Sequence, residues 1–342
     1  MNFGELKNQL FAIALGVAIC LPCNTLSAQQ RPAAQQQPAA QQQVQVQQLS
    51  QQQTDRLAQR GGLTPSQPIR PFPELTAAEQ DYLVKVLDFW QQQSAGIELY
   101  ERTFNLYMYD TGLTNYRDPK TRQLAADNIA VGKIRYAKPG KASYETHSLF
   151  KFDGPGKDYK PISDAKLREK WVTDGEGVYE FDFQEKRLYE TKLPPDMRGE
   201  GAILNSPIPF MFGARKDQIL SRYWVKVITP AEVEDKEVWL EAWPKKAEDA
   251  QNYKKVEIIL SIEPFLPKAV HMYMPQYNPK KENFSSVYIA FSDMRVNDRL
   301  AKLKDWWGNF VKPSLPKFEP GWKMVPRQQM NARAAGQPNQ QR

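Results

Sequence analysis

From Arg102 to Val296 the chain repeatedly alternates apolar with polar residues, and that period of two commits the segment to sheet rather than helix. RTFNLYMYD (residues 102–110) begins the pattern. Ten further stretches carry it on, at 129–138, 142–149, 167–173, 177–183, 187–192, 223–229, 237–243, 253–262, 268–274 and 286–296. In the stretch 253–262, Val256, Ile258, Leu260 and Ile262 share one face while Lys255, Glu257 and Ser261 take the other. One buried face and one wet face are the mark of antiparallel pairing. Turn residues agree, with Asp174-Gly175 and Gln184-Glu185 between neighbouring strands. No calcium-loop spacing of oxygen ligands accompanies Asp174-Gly175-Glu176-Gly177, so a hairpin turn is expected there.

A single strong helix precedes the strands. Thr76 and Glu79 have capping-box spacing, and Tyr82, Leu83, Val86, Leu87 and Trp90 repeat at helical spacing up to the stop at 91–96. Only residues 209–221 break the run of strands, and one or two short helices are expected there. The fold class is therefore mainly β (α+β), a helix followed by a long antiparallel meander.

Composition divides the chain. Residues 1–28 read as a secretory signal, with Lys7 in a polar start, an apolar run at 10–21, Pro22, and small residues up to Ala28. Twelve residues at ~1.5 Å each span ~18 Å, too short for a ~30 Å hydrocarbon core. Pro22 stands where a lipoprotein signal needs a small residue before Cys23, so lipid attachment is not expected. Both cysteines, Cys20 and Cys23, leave with the signal, and a cysteine-free mature chain suits an oxidising compartment. Residues 29–72 are Gln, Pro and Ala with little else and form a disordered tether, because they cannot bury enough apolar surface to offset ordering. Residues 73–326 hold all eight tryptophans and form the folded domain, and 327–342 are a second disordered tail.

The net charge of +7 sits mainly on the flanks. Arg31, Arg56, Arg60 and Arg70 outweigh Asp55 in the tether, and Arg327, Arg333 and Arg342 lie in the tail, leaving about +1 on the body. No basic stripe runs through the body, which excludes nucleic acid as a partner. His147 and His271 are the only histidines, so no multi-histidine metal site is expected, and each is read as a strand surface residue. With no nucleotide-binding glycine loop and no nucleophile elbow, neither an enzyme nor a cofactor is expected. The aromatic residues stand out: Phe104, Tyr107 and Tyr109; Tyr179, Phe181 and Phe183; Trp224, Trp239 and Trp243. Core packing accounts for most of them, and the functional alternative is an apolar trough offering ring faces to a hydrophobic ligand.

The order of motifs resembles the outer-membrane lipoprotein carriers of the LolA/LolB type. The motifs are Gly132-Lys133-Ile134-Arg135-Tyr136-Ala137-Lys138-Pro139-Gly140, Trp171-Val172-Thr173-Asp174-Gly175, Pro209-Phe210-Met211, residues 223–244 and residues 254–273, then Phe291–Asn297. With Gly321-Trp322 near the end, the layout is also similar to an uncharacterised exported domain family of planctomycete type. The resemblance implies an unclosed β-barrel whose concave face is covered by helices and shields acyl chains in the periplasm. It implies a ligand-binding set of Leu83, Leu87, Trp90, Phe104, Tyr136, Lys138, Trp171, Phe181, Phe210 and Trp239. In the carriers an arginine before the strand-motif proline helps govern lid closure. Here Lys138 stands in that place, keeping the charge and losing the planar fork. Two functions follow as expectations. The first is a monomeric periplasmic carrier of a hydrophobic ligand or acylated protein, and the second is an envelope module that binds a protein partner with the same fold and no lipid cargo.

Overall fold

The computed structural model describes residues 68–164, 168–195, 198–199, 215–278, 285–298 and 321–327. The expected signal, most of the tether and the tail beyond 327 lie outside them, as does Phe210.

Helix α1 (Ala77–Ala95) starts at the expected capping box. Thr76 Oγ1 accepts from Glu79 N–H at 3.3 Å, and Glu79 Oε2 accepts from Thr76 N–H at 2.7 Å. That backbone bond holds the Glu79 carboxyl below its ordinary value.

Strands β1 (Leu99–Asp110), β2 (Asn128–Ala137), β3 (Lys141–Lys151), β4 (Lys160–Pro161), β5 (Lys170–Thr173), β6 (Gly177–Asp182) and β7 (Arg187–Lys192) follow. After the short helix α2 (Lys216–Arg222) come β8 (Tyr223–Val227), β9 (Glu237–Pro244), β10 (Lys255–Ser261), β11 (Pro267–Tyr273), β12 (Ser285–Val296) and β13 (Lys323–Arg327). They make one curved, unclosed sheet in the order β13-β7-β6-β5-β3-β2-β1-β12-β11-β10-β9-β8, with β4 on β3. The sheet is thus two meanders joined where β12 returns to pair with β1 from Tyr100↔Val296 to Asp110↔Ser285. All pairings are antiparallel except β13, which runs parallel to β7. That parallel strand is the departure from the expected meander.

The turn chemistry is as expected. Asp174 Oδ1 accepts from the Glu176 and Gly177 N–H groups, both at 2.9 Å, and Gly175 takes φ 92°. Asp182 makes the same turn before β7, accepting from Gln184 and Glu185.

We call the face that receives α1 the inner face. Leu83, Val86, Leu87 and Trp90 of α1 join Phe104, Ile134, Leu240, Val256, Ile258 and Leu260 in one buried cluster. Each large side chain buried there contributes roughly 1.5–3 kcal/mol. Ile262, expected to share that face, lies past the end of β10 and is 42% exposed. A second, smaller cluster of Val172, Tyr179, Phe181 and Leu188 lies on the opposite face of β5–β7, packed by Phe183, Trp322 and Met324.

Candidate functional site

Parity along each strand decides what faces inward. On β1, Phe104, Leu106 and Met108 are buried, whereas Tyr107 and Tyr109 point to the outer face. Phe104 lies opposite Gly132 of β2, and its ring spreads across that glycine. A Cβ at Gly132 would stand 2.4 Å from Phe104 Cζ and 2.2 Å from the Glu145 carbonyl oxygen. Having crossed the glycine, the Phe104 ring stacks on Tyr144 of β3 (centroids 4.8 Å, 11°). Tyr144 in turn stacks on Trp171 of β5 (5.7 Å, 7°). Three rings therefore line the inner face from β1 to β5, with glycine as the gap that lets them meet. Burial, then the charge of Glu169, raises the Tyr144 hydroxyl well above its ordinary value.

Of the ten site residues implied by the resemblance, Leu83, Leu87, Trp90, Phe104 and Tyr136 meet in the main core, with Trp171 packed at its margin. Lys138 is not among apolar groups. Its Nζ donates to the Ala95 carbonyl at 2.6 Å and so holds the C-terminal end of α1, where the helix dipole favours a cation. Asn297 clamps the same corner, accepting from Glu98 and Leu99 N–H and donating to the Gly96 carbonyl. Phe181 and Trp239 are placed on the opposite face. Phe181 packs edge-on against Trp322, and Trp239 donates to Glu237 Oε2 at 2.7 Å. Pairing shows why: Phe181 opposes Leu188, and Trp239 opposes Ile259, one residue out of phase with inward-facing Leu240 and Ile258.

Open space adjoins the β8 edge. A cavity of about 340 Å³ lies between the chain entering α1 and strand β8. Leu75, Leu83, Leu220, Tyr223 and Val225 supply its apolar wall. Arg70, Glu74 and Lys245 line its polar side, and Phe72 and Trp224 add ring faces. Tyr223 is fixed from beneath, its hydroxyl 2.5 Å from that of Tyr253, and burial pushes it up to about 12. Arg222 anchors the strand start by a two-pronged pair with Asp249, at 2.6 and 3.2 Å. Of the cavity's lining, only Leu83 belongs to the set implied by the resemblance. Arg70 and Lys245 carry no local motif, and they become neighbours only because β8, paired to β9, lies beside the chain that enters α1.

The outer face carries a different cluster. Lys255 is buried between Glu241 (2.7 Å) and Glu257 (2.6 Å), under the rings of Tyr273, Tyr277 and Trp243. His271, read from sequence as a strand surface residue, lies against Tyr273 with centroids 4.1 Å apart and the rings tilted by 32°. Its Nε2 is 3.0 Å from Ser286 Oγ, and burial followed by the Lys255 charge lowers its pKa to about 4. His147 stands exposed on β3. Among the described residues no helix is long and apolar enough to cross a membrane.

No protein-family model matches the chain, and no curated protein does. Solved structures give distant likenesses. An uncharacterized conserved protein from Thermus thermophilus is 7% identical over 72% of this chain and 99% of its own, at a TM-score of 0.39. A LolA superfamily protein from Nitrosomonas europaea is 11% identical over 65% and 98%, at 0.30. The MucA/MucB complex of Pseudomonas aeruginosa is 14% identical over 67% and 60%, at 0.30. These are likenesses of outline, and none assigns this chain a ligand or a partner.

Proposed function

We propose that this protein is an exported, periplasmic binding protein, without enzymatic activity, that takes up a hydrophobic or acylated ligand beside helix α1. One observation carries the proposal: the 340 Å³ cavity between α1 and the sheet reaches from the surface down to Leu83 in the main core. Its size falls at the lower end of the ~300–1,000 Å³ typical of small-molecule sites. It suits one chain segment rather than several. A buried methylene gains ~0.8 kcal/mol, so about ten of them packed along Leu75, Leu83 and Val225 correspond to micromolar affinity.

Native mass spectrometry of the protein purified from the cell envelope tests this. A co-purifying lipid mass, reduced when Leu75→Trp fills the cavity, supports it. A protein that is ligand-free in every preparation overturns it.

A second use of the fold is favoured by the side chains that already occupy the inner face. Leu87, Trp90 and Phe104 are each 1% exposed and act as core. On that reading the half-barrel is an envelope module for a protein partner. Crosslinking in the envelope would then capture the same partner from the wild type and from Leu75→Trp.

A further inference from the structure

The polar side of the cavity has an unbalanced charge. Arg70 and Lys245 both line it, and Glu74 is the one carboxylate in the lining. Glu74 pairs with Arg70 at 3.3 Å, yet its side chain is 91% exposed and the pair is an i,i+4 surface contact. Such pairs are worth at most about 1 kcal/mol and open easily. Lys245 is different. It is half-buried, its Nζ donates to the Leu220 carbonyl, and among the described residues no carboxylate pairs with it. Burial and the nearby Arg70 charge lower its pKa, which is the response of a cation short of a counter-charge.

Two cations on one side and Leu75, Leu83, Leu220 and Val225 on the other describe an amphiphile with a charged end. We propose that the cavity selects a single-chain ligand with an anionic head, a carboxylate or phosphate, seated between Lys245 and Arg70 while the first part of its chain lies on Leu83 and Val225. This deepens the hydrophobic-ligand reading above and rests on it. A head group at this position replaces Glu74 as the partner of Arg70 and supplies the missing partner of Lys245. Charge-assisted bonds of this kind are roughly twice as strong as neutral ones. Phe72 and Trp224 flank the site, and Lys226, which sits over the Phe72 ring at 5.1 Å, is already paired with Glu241 at 3.1 Å and so leaves the head to Lys245 and Arg70.

The test is a titration of the full chain with dodecanoate, dodecyl phosphate, dodecanol and inorganic phosphate. The probes separate head from chain. Dodecanoate and dodecyl phosphate are expected to bind at least about tenfold more tightly than dodecanol, with inorganic phosphate silent. Lys245→Gln, which keeps a donor for the Leu220 carbonyl, should bring dodecanoate and dodecyl phosphate down towards the affinity of dodecanol for the same variant. Arg70→Gln, at an exposed position, provides a second variant with the same expected direction. If all three chains bind equally and neither variant changes the order, head recognition is overturned while hydrophobic binding stands. If inorganic phosphate binds as well as the chains do, the site is a plain anion site and the amphiphile is overturned. If nothing binds, both readings fall.

Discussion

Gly132→Ala is the sharpest test of the inner face, because one methyl group there meets two neighbours at once. Its Cβ would stand 2.2 Å from the Glu145 carbonyl oxygen and 2.4 Å from Phe104 Cζ. The ring can swing only by leaving its stack on Tyr144, and the carbonyl belongs to the β2–β3 ladder next to a bulge. Overpacking in a close-fitted site costs about 1–3 kcal/mol, and two collisions place this substitution near the upper end. Losing the Phe104–Tyr144 stack adds about 0.5–1.5 kcal/mol. Together these cost about 3.5–4.5 kcal/mol, so at about 2–4 °C per kcal/mol for a domain of this size Tm should fall by roughly 7–18 °C. Thermal melts followed by far-UV circular dichroism read this directly, and near-UV spectra report the rings. A double-mutant cycle with Phe104→Leu should show a coupling of at least about 1 kcal/mol, because removing the ring relieves one of the two contacts. An unchanged or raised Tm would refute the geometry, since a glycine with open space around it gains about 0.5–1 kcal/mol on becoming alanine.

Three further substitutions probe other parts of the fold. Thr76→Ala removes the N-cap of α1 and should cost about 1 kcal/mol, read as a Tm loss of about 2–4 °C. Lys255→Met takes the cation from between Glu241, which keeps Lys226, and Glu257, which keeps the Tyr273 hydroxyl, and should cost about 3 kcal/mol in denaturant unfolding, the lower end for a broken buried pair. His271 has a folded pKa of about 4, below its unfolded value, so the unfolded chain binds its proton first as pH falls. Stability should therefore decline from about pH 6.5 down to about pH 4 by on the order of 3 kcal/mol, levelling off for this group below that. His271→Gln, which keeps a partner for Ser286, should flatten that part of the unfolding-versus-pH curve. A slope that survives the substitution would place its origin elsewhere.

Much of the sheet was legible because alternation is strong in residues 102–296 and the Asp-Gly and Asp182 turns use side-chain chemistry visible in the sequence. The N-terminal helix was legible from Thr76, Glu79 and its apolar stripe. Three things were not. The two-residue strand β4 is too short to show a period, and β13 carries Pro326 as the fourth of its five residues and pairs with a parallel partner far away in sequence. The faces of the aromatics were also hidden. Alternation shows that Tyr107 and Tyr109 share a side, but parity resets at every turn and bulge, so nothing local places Phe181 and Trp239 opposite Phe104. The cavity was hidden for a related reason. Arg70, Leu83, Val225 and Lys245 are up to 175 positions apart and meet only because β8 forms the edge of the sheet beside the start of α1.

The central claim is that a ligand chain enters beside α1 and lies against β8. A photoactivatable fatty acid bound to the full-length protein, crosslinked and mapped by peptide mass spectrometry, tests it most directly. Label on peptides carrying Leu75, Leu83, Tyr223 or Trp224, lost on competition with dodecanoate, is the predicted result. Label confined to peptides of the outer face around Trp239 and Tyr273, or label that dodecanoate does not displace, would contradict it.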